Sequence, residues 1–400
     1  MGEQSEKWPR WAFRTRELLE QFSASQDMPQ SFGWLDGSKP LIAFFVGVTW
    51  HDTGGGQRPV QLARALMRLG CQVLFLTMRK AENVGVRDLA CVGNLPFSEP
   101  RLSEQQDLGL IEELLRRASA AEQRAAVFEF PCRRFDKLMR IAKSVGYVTA
   151  YDIIDLWRDF PDVDWYDRDA ETALTAGADH IFYSARALAV SGGVYLPNAG
   201  EVEMFRRPSS QQPADLVRGE VTLGYWGSLD PNLGAKWFDW DLVAYVAKQR
   251  PSWRIVMLGP TRADFRKPPG LENVDVLGMR TIERLADYLP WFDVCLIPFK
   301  NTRMTRAVNP VKVYEYLAGY KPVVASMLPE IEGFPNVRVT RNAPDFLAAI
   351  EQARAASVDR RAVDDFLASN TWTARAQKFL EVLGIRTGGG RATGGKPDTA

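Results

Sequence analysis

The sequence predicts an α/β protein built from two doubly wound domains, each a parallel sheet covered by helices, and three observations lead there. Short apolar runs recur with helix-period segments between them. Several of these runs, such as Leu41-Ile42-Ala43-Phe44-Phe45-Val46, are continuous rather than alternating, the pattern of strands buried on both faces. The pattern halts at a Ser-, Gln- and Pro-rich stretch, 208–218, and then starts afresh. Four hundred residues with 46% hydrophobic side chains suffice for two ordinary cores.

In chain order, an N-terminal extension comes first. Within it, Trp8 to Leu19 mixes aromatics with arginines. That suits a helix lying on a membrane surface, or one packed on its own domain through Trp11, Leu18 and Phe22. The strand at 41–46 runs into a loop holding Gly54, Gly55 and Gly56. A helix at 59–70 follows, with Val60, Leu62, Ala63, Leu66 and Leu69 as its buried stripe, then a strand at 73–76. This βαβ unit predicts parallel pairing. Its loop is not G-x-G-x-x-G, so the dinucleotide fingerprint is absent, but glycines let backbone approach a ligand closely.

Further units are a helix within 104–121, a strand at 126–130, a helix at 135–145, a strand at 147–153, a helix at 167–176, and a strand at 180–183. Beyond the linker come a strand at 221–226, a turn-rich loop at 227–232, a helix within 238–248, strands at 254–258 and 274–278, and a helix at 282–289. Two helices follow Pro344, and a last one runs from Trp372 to Leu383.

The informative stretch lies between: a strand at 294–297, a polar loop, a helix opened by Asn309 and Pro310, and a strand at 322–325. Asn309 is a favoured N-cap, Pro310 suits the first helical position, and Gly319 ends the helix. Val313 and Leu317 can face the core, while Lys312, Glu315 and Tyr316 share another face. A helix opening at the C-terminal end of a parallel strand offers free N–H groups and a positive dipole end to a phosphate. Lys312 is placed to neutralise that charge, and Glu315, a turn deeper, to accept from two vicinal hydroxyls. The pair suits a nucleotide-sugar; the same spacing also describes a surface ion pair.

Asp293 to Phe299 with Asn309 to Val324 resembles the donor-binding segment of GT-B glycosyltransferases of the group 1, family 4-like type. Arg58 to Ala63 with Gly70 to Val73 is similar to that family's first loop and helix, and Tyr195 to Phe205 to its last N-domain strand and turn. The resemblance implies a GT-B fold, two Rossmann-like domains facing each other across a cleft, with a late helix crossing back onto the first through Trp372, Phe379 and Leu380. The expected divisions are an extension (1–38), an acceptor domain (39–205), a linker (206–218), a donor domain (219–368), the crossover helix (369–386) and a disordered tail (387–400). Glu315 is implied to hold the donor ribose, the start of its helix the phosphates, and Gly278-Met279-Arg280 the nucleobase. Many members carry another glutamate eight positions before the first; Ala307 stands there.

Sugar transfer needs charge stabilisation on the leaving diphosphate and, for inversion, a base. The donor-side candidates are Gly227, Ser228, Lys236, Gly259, Met279, Arg280, Asn309, Lys312 and Glu315. Tyr151-Asp152-Ile153-Ile154-Asp155 places two carboxylates just past a strand end. A similar Y-D-x-x-D segment in the family makes Asp155 the first candidate for base and Asp152 the second, though both also fit as loop caps. His51 is a third catalytic candidate, orienting the acceptor hydroxyl, with Asp52, Gly55, Gly56 and Arg58 completing the acceptor-side loop.

Fifty basic against 49 acidic side chains argue for no nucleic acid partner. Cys71, Cys91, Cys132 and Cys295 form no C-x-x-C and read as reduced thiols, and with two histidines a structural zinc is not expected. No apolar run reaches the roughly eighteen residues of a membrane span, so a cytoplasmic protein is expected, with residues 8–22 as a peripheral contact to the membrane's inner face. Asp162-Val163-Asp164 and Asp239-Trp240-Asp241 invite a Mg²⁺ reading. The second sits at a helix start, where acids are favoured anyway, and the resembled enzymes need no metal. No metal and no cofactor beyond the nucleotide-sugar co-substrate is therefore expected. The expectation is a glycosyltransferase carrying a sugar to a carbohydrate or lipid-linked acceptor, as in cell-surface polysaccharide synthesis. The alternatives are a non-hydrolysing nucleotide-sugar epimerase and a catalytically silent GT-B module.

Overall fold

The computed structural model describes residues 36–50, 56–77, 89–92, 104–160, 165–207, 211–231 and 235–387. The candidate membrane helix, His51, Asp52, Gly55, the triplet at 162–164 and the tail from 388 lie outside them.

The first domain contains β1 (Leu41–Val46), α1 (Arg58–Arg68), β2 (Gln72–Thr77), β3 (Leu89–Val92), α2 (Glu104–Ala118), β4 (Arg124–Phe128), α3 (Phe135–Ser144), β5 (Val148–Ile153), α4 (Arg168–Gly177), β6 (His180–Tyr183) and β7 (Val194–Tyr195). Its seven strands lie in the order β3-β2-β1-β4-β5-β6-β7, all parallel. Strand β1 is buried along its whole length, and Phe45 stacks on Phe128 of its neighbour with ring centres 4.5 Å apart.

A short helix, α5 (Val202–Phe205), leads to the second domain: β8 (Thr222–Trp226), α6 (Trp240–Gln249), β9 (Arg254–Leu258), β10 (Val274–Val276), α7 (Ile282–Tyr288), β11 (Val294–Ile297), α8 (Val311–Ala318), β12 (Val323–Ala325), β13 (Val337–Val339), α9 (Ala343–Ala355) and α10 (Arg360–Ala368). Six parallel strands run β10-β9-β8-β11-β12-β13. In both sheets the winding reverses between the first strand and the fourth, β1 beside β4 and β8 beside β11. Ligands in such sheets sit beyond the strand C-termini at that reversal.

The final helix, α11 (Trp372–Val382), returns to the first domain, where Trp372, Phe379 and Leu380 enter the core and Phe379 stacks on Phe182 at 4.7 Å. Val202 and Phe205 pack instead into the second core, so α5 already belongs to that side. Further ties between the halves are Arg303 to Asp159 at 3.3 Å, Arg64 to Glu283 at 3.6 Å, and the Arg186 amide donating to Glu330 at 2.8 Å.

Two strands, β3 and β13, have no counterpart among the sequence-predicted elements. Both are edge strands. The three residues of β13 are only half buried, so the apolar run that marks an inner strand is missing there. Cys71, Cys132 and Cys295 are buried, and no helix among the described residues is long and apolar enough to cross a membrane.

Candidate functional site

The C-terminal ends of the two sheets face each other across a cleft, and most of the residues selected from sequence line it. From the first domain come Gly56, Arg58 and Asp155; from the second come Gly227, Ser228, Gly259, Met279, Arg280, Asn309, Lys312 and Glu315.

The donor side is assembled where three backbone segments crowd together. Gly227, just past β8, has φ 131° and donates its N–H to the Leu258 carbonyl at 2.9 Å; Gly259, past β9, donates to Gly278 at 3.0 Å. A Cβ on Gly259 would stand 1.9 Å from the Gly227 oxygen, and one on Gly227 3.0 Å from Lys312 Cε. Only glycine permits this convergence. The Tyr225 hydroxyl pins the loop by donating to the Ser228 carbonyl at 2.9 Å.

Lys312 extends from the first turn of α8 into this nest, its ammonium 5.1 Å from the Phe299 ring centre and 5.6 Å from that of Tyr225. Burial pushes its pKa down to about 8, against the pull of Glu315. Glu315 is 4% exposed and accepts from the Trp226 indole N–H at 2.7 Å. Burial raises its carboxyl to about 7, with the indole hydrogen bond and Lys312 opposing. Tyr316, expected on the same face, is fully buried, and its hydroxyl accepts from the Trp226 amide at 3.0 Å. Trp226 thus fixes both residues, a role its strand position did not reveal.

Asn309 is not the N-cap. Pro310 takes that place with extended backbone, φ −77° and ψ 118°, and α8 opens at Val311. The Asn309 carbonyl is instead engaged by the Asn198 side-chain amide at 2.6 Å, which draws it out of the helix. Its own side chain is buried beside the Tyr314 hydroxyl.

Lys236 is a second correction: it is exposed and absent from the cleft lining. Its neighbours Ala235 and Phe238 are buried in the second core, and their burial turns the lysine outward. Arg280 reaches the cleft wall but is tied to the linker by Asp215 at 2.5 Å and donates to the Tyr288 hydroxyl at 3.1 Å. Met279, half exposed beside it, offers an apolar face. Asp239 caps α6, accepting from the Leu242 amide at 3.0 Å.

Across the cleft the two candidate aspartates part company. Asp152, in β5, is fully buried and outside the cleft lining, both oxygens taken by Arg58: Nε to Oδ2 at 2.8 Å and Nη2 to Oδ1 at 3.0 Å. Paired in this way, it does not line the cleft. Arg58 also donates to Asn198 at 3.1 Å, and through Asn198 this buried pair reaches Asn309 in the other domain. Behind it lies Glu129, which sequence reading missed, fully buried with both oxygens unpaired among the described residues. Burial, and after it the Asp152 charge, push its carboxyl well above the usual range, with Arg58 opposing. A glutamate between Phe128 and Phe130 at the end of an inner strand was the available signal.

Asp155 lies just beyond β5 on a turn held by Ser184, whose hydroxyl donates to the Ile154 carbonyl at 2.9 Å and whose amide donates to Ile153 at 3.0 Å. It caps nothing and has no ion-pair partner among the described residues. Burial raises its carboxyl to about 7, where a base works near neutral pH. Ala307, in a single 3-10 turn, is buried against the first core, so no carboxylate enters the cleft from that position.

This architecture is GT-B, and residues 220–356 match the family model described as Glycosyl transferases group 1. Among curated proteins, the chain is 24% identical over 237 residues to the glycosyltransferase TuaH assigned to teichuronic acid biosynthesis in Bacillus subtilis (strain 168). That alignment covers 56% of this chain and 55% of TuaH, about half of each. Among solved structures, a glycosyltransferase from Rickettsia africae ESF-5 superposes with a TM-score of 0.60 at 12% identity, over 86% of this chain and 98% of that one. A trehalose-6-phosphate protein from E. coli bound with UDP-2-fluoro glucose gives 0.55 at 10% identity, with coverages of 86% and 98%. At such identities the two structures establish the shared fold.

Proposed function

We propose that the protein transfers a glycosyl group from a nucleoside diphosphate sugar to an acceptor hydroxyl, with inversion at the anomeric carbon. The observation that carries this reading is the meeting of Lys312 and Glu315 with Asp155 in one cleft, from opposite domains. In it, the donor diphosphate rests at the opening of α8, where Lys312 and the positive end of the helix neutralise it without a bound metal. Glu315 accepts from the ribose hydroxyls. Asp155 takes the proton of the acceptor hydroxyl as its oxygen bonds to the anomeric carbon. The bond from that carbon to the diphosphate oxygen breaks, and its electron pair leaves with the diphosphate. The likeness to TuaH supports cell-surface polysaccharide assembly as the setting, and buried thiols suit the cytoplasm.

The test is a thermal-shift panel of nucleotides and nucleotide-sugars, with UDP-glucose as first probe, followed by transfer assays with carbohydrate acceptors. A ligand bound only by the native state raises its stability by mass action. A diphosphate-specific response and acceptor-dependent turnover support the reading, and no response to any nucleotide overturns it. Donor isomerisation without acceptor would mark an epimerase, and binding without turnover across a broad acceptor screen a silent module.

A further inference from the structure

Asp155 lines a second cavity as well as the donor cleft. This hollow, of about 530 Å³, lies within the first domain's face of the molecule and is walled by Arg158, Arg168 and Arg303, with Glu171 and Thr175 beside them. The three arginines come from separate segments. Arg158 sits on the single 3-10 turn after β5, Arg168 opens α4, and Arg303 reaches over from the second domain's loop after β11.

Their charges are unevenly answered. Arg303 meets Asp159 at 3.3 Å, and Glu171 accepts from the Tyr166 hydroxyl at 2.7 Å. Arg158 and Arg168 have no carboxylate partner among the described residues. Arg158 and Arg168 are both exposed, both line the hollow that Asp155 also lines, and neither charge is answered by a carboxylate among the described residues. Guanidinium forks match carboxylate and phosphate oxygens in two-bond geometry.

We propose that this cavity is the acceptor subsite and that the acceptor presents an oxyanion, carboxylate or phosphate, to Arg158 and Arg168 while its hydroxyl points at Asp155. The inference rests on Asp155 serving as base in the proposed transfer. Arg303, already paired across the domains, makes the subsite complete only when the two halves are together. The arginines then select among acceptors and leave the donor untouched.

The experiment measures binding to the full chain, in the presence of UDP, of three probes: a disaccharide ending in glucuronic acid, a short-chain prenyl diphosphate-linked sugar, and a neutral disaccharide. The expected result is that one or both anionic probes bind about tenfold or more tightly than the neutral one. That preference disappears in the Arg158→Ala/Arg168→Ala double variant, whose thermal response to UDP is unchanged. Which anionic probe gains tells a glycan carboxylate from a lipid-linked phosphate. Equal binding of all three, binding of none, or an anionic preference that survives in the variant overturns the inference. Loss of the UDP response in the unaltered protein would instead sink the donor reading, so the two failures are distinguishable.

Discussion

Arg58 and Asp152 meet as a doubly bonded ion pair, 2.8 and 3.0 Å, with both side chains sealed from solvent. The pair withdraws one carboxylate of the Y-D-x-x-D segment from chemistry and, through Asn198, anchors the entry to α8. Removing one partner strands the other's charge in the interior. Asp152→Ala is therefore expected to lose about 3–5 kcal/mol of stability in urea unfolding. At a temperature where it still folds, it should retain measurable transfer.

Three shifted groups on the two walls set a narrow pH window. Asp155 accepts a proton only when ionised, so kcat/KM should rise as pH passes about 7, a limb that Glu315 shares. Lys312 neutralises phosphate only when charged, so the same profile should fall as pH passes about 8. A bound diphosphate favours the ammonium, which moves the falling limb of kcat to higher pH than that of kcat/KM. Asp155→Asn should lower kcat by about 10²–10⁴ while the thermal response to UDP persists.

Lys312→Ala should weaken the nucleoside diphosphate response, and EDTA should leave the wild-type response intact. In calorimetry near pH 8, in buffers of different ionisation enthalpy, UDP binding should take up protons as Lys312 is recharged. Binding without proton uptake would place the diphosphate elsewhere.

Glu315→Gln should separate stability from ligand binding. The carboxyl is raised from 4.5 to about 7, so its contribution to stability is fully present below about pH 4.5 and is lost as pH rises through about 7. At pH 8 the ionised group is a cost, and the glutamine variant is expected to be more stable without ligand, on the order of 2 kcal/mol. Its donor response should be weaker. Urea midpoints and thermal shifts at pH 5 and pH 8 check both halves.

Gly259→Ala puts a methyl 1.9 Å from the Gly227 carbonyl oxygen, a backbone atom that no side-chain rotation can clear. The donor loops must part, at about 1–3 kcal/mol, and the nest around Lys312 loosens. A lowered melting temperature together with a reduced UDP response is the expected outcome; a reduced melting temperature alone would show that the nest is not the donor site.

Strand β11 and the end of α8 fall where apolar runs and Gly319 placed them, because buried parallel strands and helix stops leave short-range marks. The start of α8 moved by one residue because Asn198, more than a hundred positions earlier, holds the Asn309 carbonyl. Lys236 failed as a donor residue because helix-start position says nothing about which side chain the core pulls inward. Trp226 and Glu129 passed unnoticed: each matters through a partner on another strand or helix, Glu315 for the one and the Arg58 and Asp152 charges for the other.

By itself the sequence determined the alternation of strands and helices, the glycines at the strand ends, and the spacing of Lys312 and Glu315, since all of these are set by neighbours within a turn or two. The tertiary structure alone decided which aspartate lines the cleft. Asp152 and Asp155 sit three positions apart with the same chemistry, and Arg58, 94 residues away from Asp152, buries and pairs one while leaving the other at the cleft. A carboxylate's basicity depends on its solvation and on the charges that reach it through space, and chain order specifies neither.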